Sequence, residues 1–233
     1  MKMVNYSPVA ILDSGIGGLS LLKILTQKYP NENYIYFADN QYMPYGNKSK
    51  KWLITRIKQL INYLYETFNV KLVILACNTA SITMVDEVKG CLPVKVVGLN
   101  LNSLTLTDCK VICTKRCCMG YRHLNTYSNN KLATYIEEYI FDINNLTRKI
   151  NRIVNKVNIE ERNIILGCTH YELVADIFKT LYPDKNFILP CKEFVNNLKI
   201  ELPNSSNAKG DIVMLSSLST KSYIDKLWKI FKN

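Results

Sequence analysis

The sequence predicts an α/β protein of two pseudo-symmetric, doubly wound units with mainly parallel sheets and a ligand cleft between them. Short runs rich in Val, Ile, Leu and Tyr alternate with longer stretches of helical period, the pattern left by a parallel sheet covered by helices on both faces. Two of those runs, "LVILACNTA" and "NIILGCTHY", align so that Cys77 falls on Cys168, 91 residues further on, each thiol at the carboxyl end of an expected strand. Open α/β sheets place their ligands at that end. At 233 residues and 48% hydrophobic content, the chain can bury one large core or two compact ones.

Taken in order, strands are expected at "VAILD" (9 to 13), "YIYFAD" (34 to 39), "KLVILAC" (71 to 77), "VKVVGL" (94 to 99), "KVICT" (110 to 114), "NIILGC" (163 to 168), "NFILP" (186 to 190) and "DIVML" (211 to 215). A helix is expected from Gly18 to Gln27, with Leu19 and Leu22 turned inward, and another from Lys50 to Phe68, with an apolar stripe from Trp52 to Leu64. Residues 130 to 158 have helical period but are rich in Asn, so breaks are expected there. If the paired thiols mark paired units, the chain divides near Leu99 and Lys209. The first unit is then 1–98 plus 210–233, carrying Cys77, and the shorter second unit is 99–209, carrying Cys168.

No apolar run approaches the roughly 20 residues of a bilayer crossing, and the first residues enter a strand pattern without a signal core, so a cytoplasmic protein without a membrane partner is expected. Eight cysteines in such a chain read as reduced thiols. The net charge of +11 is spread along the chain without a recognition motif, which predicts weak, salt-sensitive nucleic-acid contacts and no specific nucleic-acid partner.

Four motifs carry chemistry. "LDSGIGGLS" (12 to 20) leads from a strand through Gly15, Gly17 and Gly18 into a helix, an N-terminus whose N–H groups suit an anion, with Asp13 and Ser14 at the strand tip. Its glycine spacing is not that of a dinucleotide fingerprint. "FADNQYMPYGNKS" (37 to 49) offers Asp39, Tyr45 and the Gly46 N–H to a small polar ligand. The two cysteine strands each continue into hydrogen-bonding pairs, Asn78-Thr79 and Thr169-His170. A single strand-end thiol is usually a small buried hydrophobe, but two at equivalent positions suggest shared chemistry. Cys113, Cys117, Cys118 and His123 cluster without the spacing of a zinc site, so no metal is expected.

The ordered blocks "AILDSGIGGLS", "YFADNQYMPYG", "LVILACNTAS" and "IILGCTHYE" resemble the signature blocks of glutamate racemases, in the cofactor-independent aspartate/glutamate racemase superfamily. The resemblance covers residues 9 to 99 and 163 to 173. It implies an acidic amino acid bound between the two units, no cofactor, a homodimer, and a role in supplying D-glutamate for cell-wall peptidoglycan. It also implies that Cys77 and Cys168 are the two catalytic thiols, that Asp13 assists the first and that His170 stands beside the second. Substrate-binding positions carried over are Asp13, Ser14, Tyr45, Gly46, Asn78, Thr79, Thr114, Thr169 and His170.

The second unit departs from that pattern. After Thr114, Cys117 falls where the family has a second threonine, Glu172 stands where proline is usual, and the segment bearing the family's site glutamate has no counterpart, leaving Glu137 or Glu138 as substitutes. The shortened region also predicts a more open cleft. Two alternatives follow: a two-thiol racemase of another acid such as aspartate, and a non-catalytic binding protein retaining the fold.

Overall fold

A computed structural model describes residues 7–84, 87, 92–99, 108–121, 124–198 and 209–233. Its first half alternates β1 (Val9–Asp13), α1 (Leu19–Lys28), β2 (Tyr34–Ala38), α2 (Lys50–Phe68), β3 (Leu72–Leu75), α3 (Asn78–Met84) and β4 (Lys95–Gly98). The chain continues through β5 (Cys109–Cys113), α4 (Lys115–Gly120), β6 (Asn125–Ser128), α5 (Asn130–Tyr139), α6 (Ile143–Val154), β7 (Asn163–Gly167), α7 (Thr169–Glu172), α8 (Ala175–Leu181), β8 (Asn186–Ile188) and α9 (Pro190–Asn197). It ends in β9 (Ile212–Ser216) and α10 (Lys221–Lys232). The strands form two sheets, ordered β4-β3-β1-β2-β9 and β6-β5-β7-β8, and the described pairings are parallel. The last strand therefore returns to the first sheet.

Both faces of the first sheet are covered, and β1 shows why its residues form an uninterrupted apolar run. Ala10 and Leu12 pack with Leu53, Ile57, Leu60 and Leu64 of α2, while Val9 and Ile11 face the opposite cluster with Leu22 of α1 and Leu227 of α10. That second cluster continues into Leu132, Ile136, Ile150 and Leu166, so one apolar core spans both sheets. The α2 stripe falls as expected, and the helix is bounded by a Ser49 N-cap and by Asn69 in the left-handed conformation at φ 50°.

Two features differ from the sequence reading, and a third, an expected helix break, takes its place in the chain. Strands end earlier than their apolar runs: β3 stops at Leu75, β7 at Gly167 and β8 at Ile188, leaving Cys77 and Cys168 just past the ladders and Pro190 as the start of α9. The strand β6, "NTYS", was not expected, because a short polar edge strand paired only to β5 leaves no apolar signature. The helical stretch after Asn130 breaks at Ile140 to Asp142, where Asp142 caps α6 through the Asn145 N–H.

Candidate active site

The carboxyl ends of β1 and β3 in one sheet meet those of β5 and β7 in the other. Asp13 ends β1 fully buried, and its carboxylate accepts the Gly15 N–H at 2.8 Å and the Thr169 hydroxyl of the opposite unit at 3.1 Å. The Thr79 and Thr114 hydroxyls join the units again at 2.9 Å. Thr114 also caps α4 through the Cys117 N–H. Gly46 lies against it, since a Cβ there would stand 2.9 Å from the Thr114 Cβ.

The glycine loop after Asp13 is shaped by this meeting. A Cβ on Gly17 would lie 2.5 Å from His170 Nδ1, and one on Gly15 would lie 2.5 Å from Glu137 Oε2, so only glycine lets the units close. The anion that the loop was expected to receive is supplied by the protein itself: the Ile16 N–H donates to Glu137 Oε2 at 3.0 Å.

Both thiols are nearly sealed, Cys77 at 6% and Cys168 at 8% exposure, against the open cleft expected from the short second unit. Cys77 receives the Ser14 hydroxyl at 3.8 Å and the Ala80 N–H, and Cys168 receives the N–H groups of His170 and Tyr171. These donors favour thiolates, as the strand-end placement suggested, but burial outweighs them. Burial and the Asp13 charge push each thiol up to about 12, and Cys168 adds to the effect on Cys77. Burial likewise raises the Asp13 carboxyl above its ordinary range.

His170 is buried and shares a 2.9 Å hydrogen bond with Glu137. Burial opposes its charge, yet the Glu137 bond and charge prevail and its pKa lies above the usual value. Glu137 is also buried, but His170, Lys226 and the Ile16 N–H hold it at about 2. Of the two glutamates left open by sequence, Glu137 enters the site and Glu138 is exposed on α5. Its other partners, the Tyr223 hydroxyl at 2.7 Å and the Lys226 ammonium at 3.4 Å, come from α10 and were missed. Their i, i+3 spacing on the C-terminal helix was the available signal, but nothing in the sequence ties that helix to α5.

The remaining expected residues divide sharply. Asn78, 2% exposed, has neither its amide nitrogen nor its oxygen hydrogen-bonded among the described residues. Tyr45 instead donates to Asp39 at 2.6 Å, and Arg56 grips the same carboxylate at 2.7 and 3.0 Å, so that trio braces the loop. Cys117 is fully buried, with its thiol directed at the Gly167 carbonyl at 3.3 Å and its N–H bonded to the Thr114 hydroxyl. Glu172 is buried too. Its two oxygens meet the Cys191 N–H at the start of α9, and burial pushes it up to about 8. The Cys113 and Cys118 sulfurs lie 2.6 Å apart, and no group of three or more His, Cys, Asp or Glu among the described residues could hold a metal. His123 lies outside the described residues. No described helix is long and apolar enough to cross a membrane.

Two parallel sheets whose carboxyl ends meet around a pair of thiols make an α/β fold with its candidate site at the junction. Solved glutamate racemases share it: the Thermus thermophilus enzyme superposes with a TM-score of 0.82 at 22% identity, covering 98% of this chain and 94% of that one. The Campylobacter jejuni enzyme gives 0.81 at 24% identity over 97% and 98%. A glutamate racemase of Buchnera aphidicola from Schizaphis graminum is 34% identical over 81% of this chain and 82% of its own length, and one from Persephonella marina is 31% identical over 77% and 76%. No family model matches the chain. The chain belongs to the glutamate racemase family.

Proposed function

We propose that the protein interconverts L- and D-glutamate without an added cofactor, using Cys77 and Cys168 on opposite faces of the substrate α-carbon. The observation that carries this reading is the pair of thiols at equivalent strand ends, electrostatically coupled inside one sealed junction. In one direction a thiolate takes the α-proton, breaking the Cα–H bond, and the opposite thiol donates its proton to the other face. The protein finishes with the two protonation states exchanged, ready for the reverse reaction.

The substrate's α-carboxylate must be held as negative charge spreads from the α-carbon. That task falls to Ser14, Thr79, Thr114, the Gly46 N–H and, once its hydroxyl turns from Asp13, Thr169, while the Asn78 amide, without a hydrogen-bond partner among the described residues, supplies both a donor and an acceptor. Asp13 stands beside the first thiol, where its charge makes the thiolate scarcer but more basic. His170, whose proton affinity Glu137 raises, stands next to Cys168 and gives that thiol its backbone N–H. The thiolate of a thiol near 12 is a strong base once formed, and the ammonium of an incoming amino acid favours forming it.

The proposal includes division of the chain near Leu99 and Lys209 on the paired thiol strands, a cytoplasmic location on the sequence pattern, and, on the family resemblance, a homodimer and delivery of D-glutamate to peptidoglycan synthesis. Incubation with single L- and D-amino acids in heavy water tests it, reading α-proton exchange and optical inversion together. Glutamate should exchange and invert after dialysis against a chelator, with no pyridoxal absorbance. Preferential turnover of aspartate would move the protein to the other acidic substrate, and loss of activity restored by zinc would sink the cofactor-free reading.

A further inference from the structure

The C-terminal helix α10 belongs by packing to the first unit, against β9 and α1, yet its polar side reaches into the second. Tyr223 and Lys226 lie one turn apart and both close on Glu137 of α5. The Glu137 oxygens are divided between two tasks. Oε2 accepts the Ile16 N–H at 3.0 Å and meets His170 Nε2 at 2.9 Å, while Oε1 accepts the Tyr223 hydroxyl at 2.7 Å and the Lys226 ammonium at 3.4 Å. Lys226 also donates to the Glu137 backbone carbonyl near the end of α5, a favourable place for a cation. Its ammonium rides 5.6 Å from the centre of the Tyr223 ring.

We propose that Tyr223 and Lys226 are positioning residues that set the orientation and proton affinity of His170 through Glu137, making the C-terminal helix a working part of the second half-site. This rests on the racemase reading of that site. A carboxylate with only the His170 and Ile16 contacts could rotate; two further donors on the other oxygen fix its plane and therefore the imidazole it holds. The charged and titratable groups facing His170 are Glu137 from α5, Asp13 from β1 and Lys226 from α10, and those facing Glu137 also include Tyr223 and the Tyr36 hydroxyl. Among the groups facing His170, Lys226 alone opposes its proton.

The signs follow. Removing the Lys226 charge relieves repulsion on protonated His170, and removing the Tyr223 donor leaves Glu137 a better acceptor for its proton. Both changes raise the His170 titration midpoint. The chain has two histidines, so imidazole NMR on the full protein, with His123→Asn for assignment, follows His170 directly. Lys226→Met and Tyr223→Phe should each move its midpoint up, by roughly half a pH unit or more for Lys226→Met. Lys226→Arg, which keeps the charge, should leave it near wild type. The His170-dependent limb of the kcat profile should move with the NMR midpoint while KM changes less than kcat. An unmoved His170 in both Lys226→Met and Tyr223→Phe overturns the proposal, as does a fall in kcat with the limb fixed. If wild type turns over no amino acid, the racemase reading fails while the NMR titration still decides this coupling.

Discussion

Cys77 and Cys168 follow corresponding strands of two sheets, and each opens a helix whose first residues are polar, but their surroundings differ. After Cys77 the polar groups are less committed: Asn78 has no hydrogen-bond partner among the described residues, and the Thr79 hydroxyl pairs with that of Thr114 across the junction. After Cys168 they are already spent on the protein, Thr169 on Asp13 and His170 on Glu137, which itself gathers Ile16, Tyr223 and Lys226. A repeated fold has divided its labour. On the proposed reading, the first half keeps open hydrogen-bonding capacity for a ligand, and the second builds a fixed charge network beside its thiol.

The hardest test of that division is removal of the thiols themselves. Cys77→Ala and Cys168→Ala should each lower turnover by about 10² to 10⁴, the usual worth of a positioned acid or base. The double variant should be no worse than either single one, because losing one thiol already leaves every direction without its acid or its base. Stopped-time polarimetry on both enantiomers measures it. Near wild-type turnover in Cys168→Ala would assign the chemistry to one half alone.

Asn78→Leu separates binding from folding. The amide costs stability in the free protein because it is buried without partners, so an apolar residue of similar size should leave Tm unchanged or higher. Loss of a hydrogen bond to a charged carboxylate costs roughly 1.5 to 3 kcal/mol, a tenfold to hundredfold fall in kcat/KM. A parallel loss of Tm and activity would mean that Asn78 has a structural partner after all, and the contrast between the halves would weaken.

Much of this was legible in the sequence, for definite reasons. The strand-end thiols could be found because buried parallel strands are written as apolar runs, and a thiol followed by Asn-Thr or Thr-His interrupts such a run at the ligand end. Asp13 and Ser14 were visible by the same logic. Tyr45 was harder to place: "PYG" marks a turn, but its hydroxyl donates to Asp39, whose carboxylate Arg56 of α2 also grips, an arrangement that only the fold brings about. The closure of the site was misread from the length of the second unit, whereas Gly15 and Gly17 allow a contact too close for any side chain. Of the Glu137 network the sequence offered His170 and left Glu137 or Glu138 open, but nothing in it ties Ile16, Tyr223 and Lys226 to that pair.

Acid sensitivity should report the second half specifically. Glu137 is held at about 2 against an ordinary 4.5, so its contribution is present above pH 4.5 and is lost as pH falls toward 2. His170 is raised above 6.5, so its contribution is complete below 6.5 and disappears as pH rises through its folded value. The pair therefore stabilises most between about pH 4.5 and 6.5. Urea midpoints of wild type and Glu137→Gln across pH 3 to 8 should differ most within that window and converge on either side. A constant difference would make Glu137 a packing residue whose charge is incidental.

The smallest effect is expected at Cys117, where the family pattern suggests a binding position and the thiol itself is turned to a backbone carbonyl. By alignment it occupies the place of a substrate-binding threonine, and on that reading Cys117→Thr would restore a donor and improve glutamate turnover. In the fold it is fully buried with Cys109, Val111, Cys113, Tyr121 and Ile165, and its thiol points at the Gly167 carbonyl. A threonine hydroxyl could keep that bond, but its methyl branch must fit a packed core, at a cost of about 1 kcal/mol. The Thr114 hydroxyl, already paired with Thr79 at the junction, keeps its place either way. Cys117→Thr should thus change kcat/KM by less than about threefold and lower Tm by a few degrees for a domain of this size. A tenfold gain would show that position 117 reaches the substrate, so that the second half also keeps a binding group in reserve. The asymmetry would then reduce to Asn78 alone.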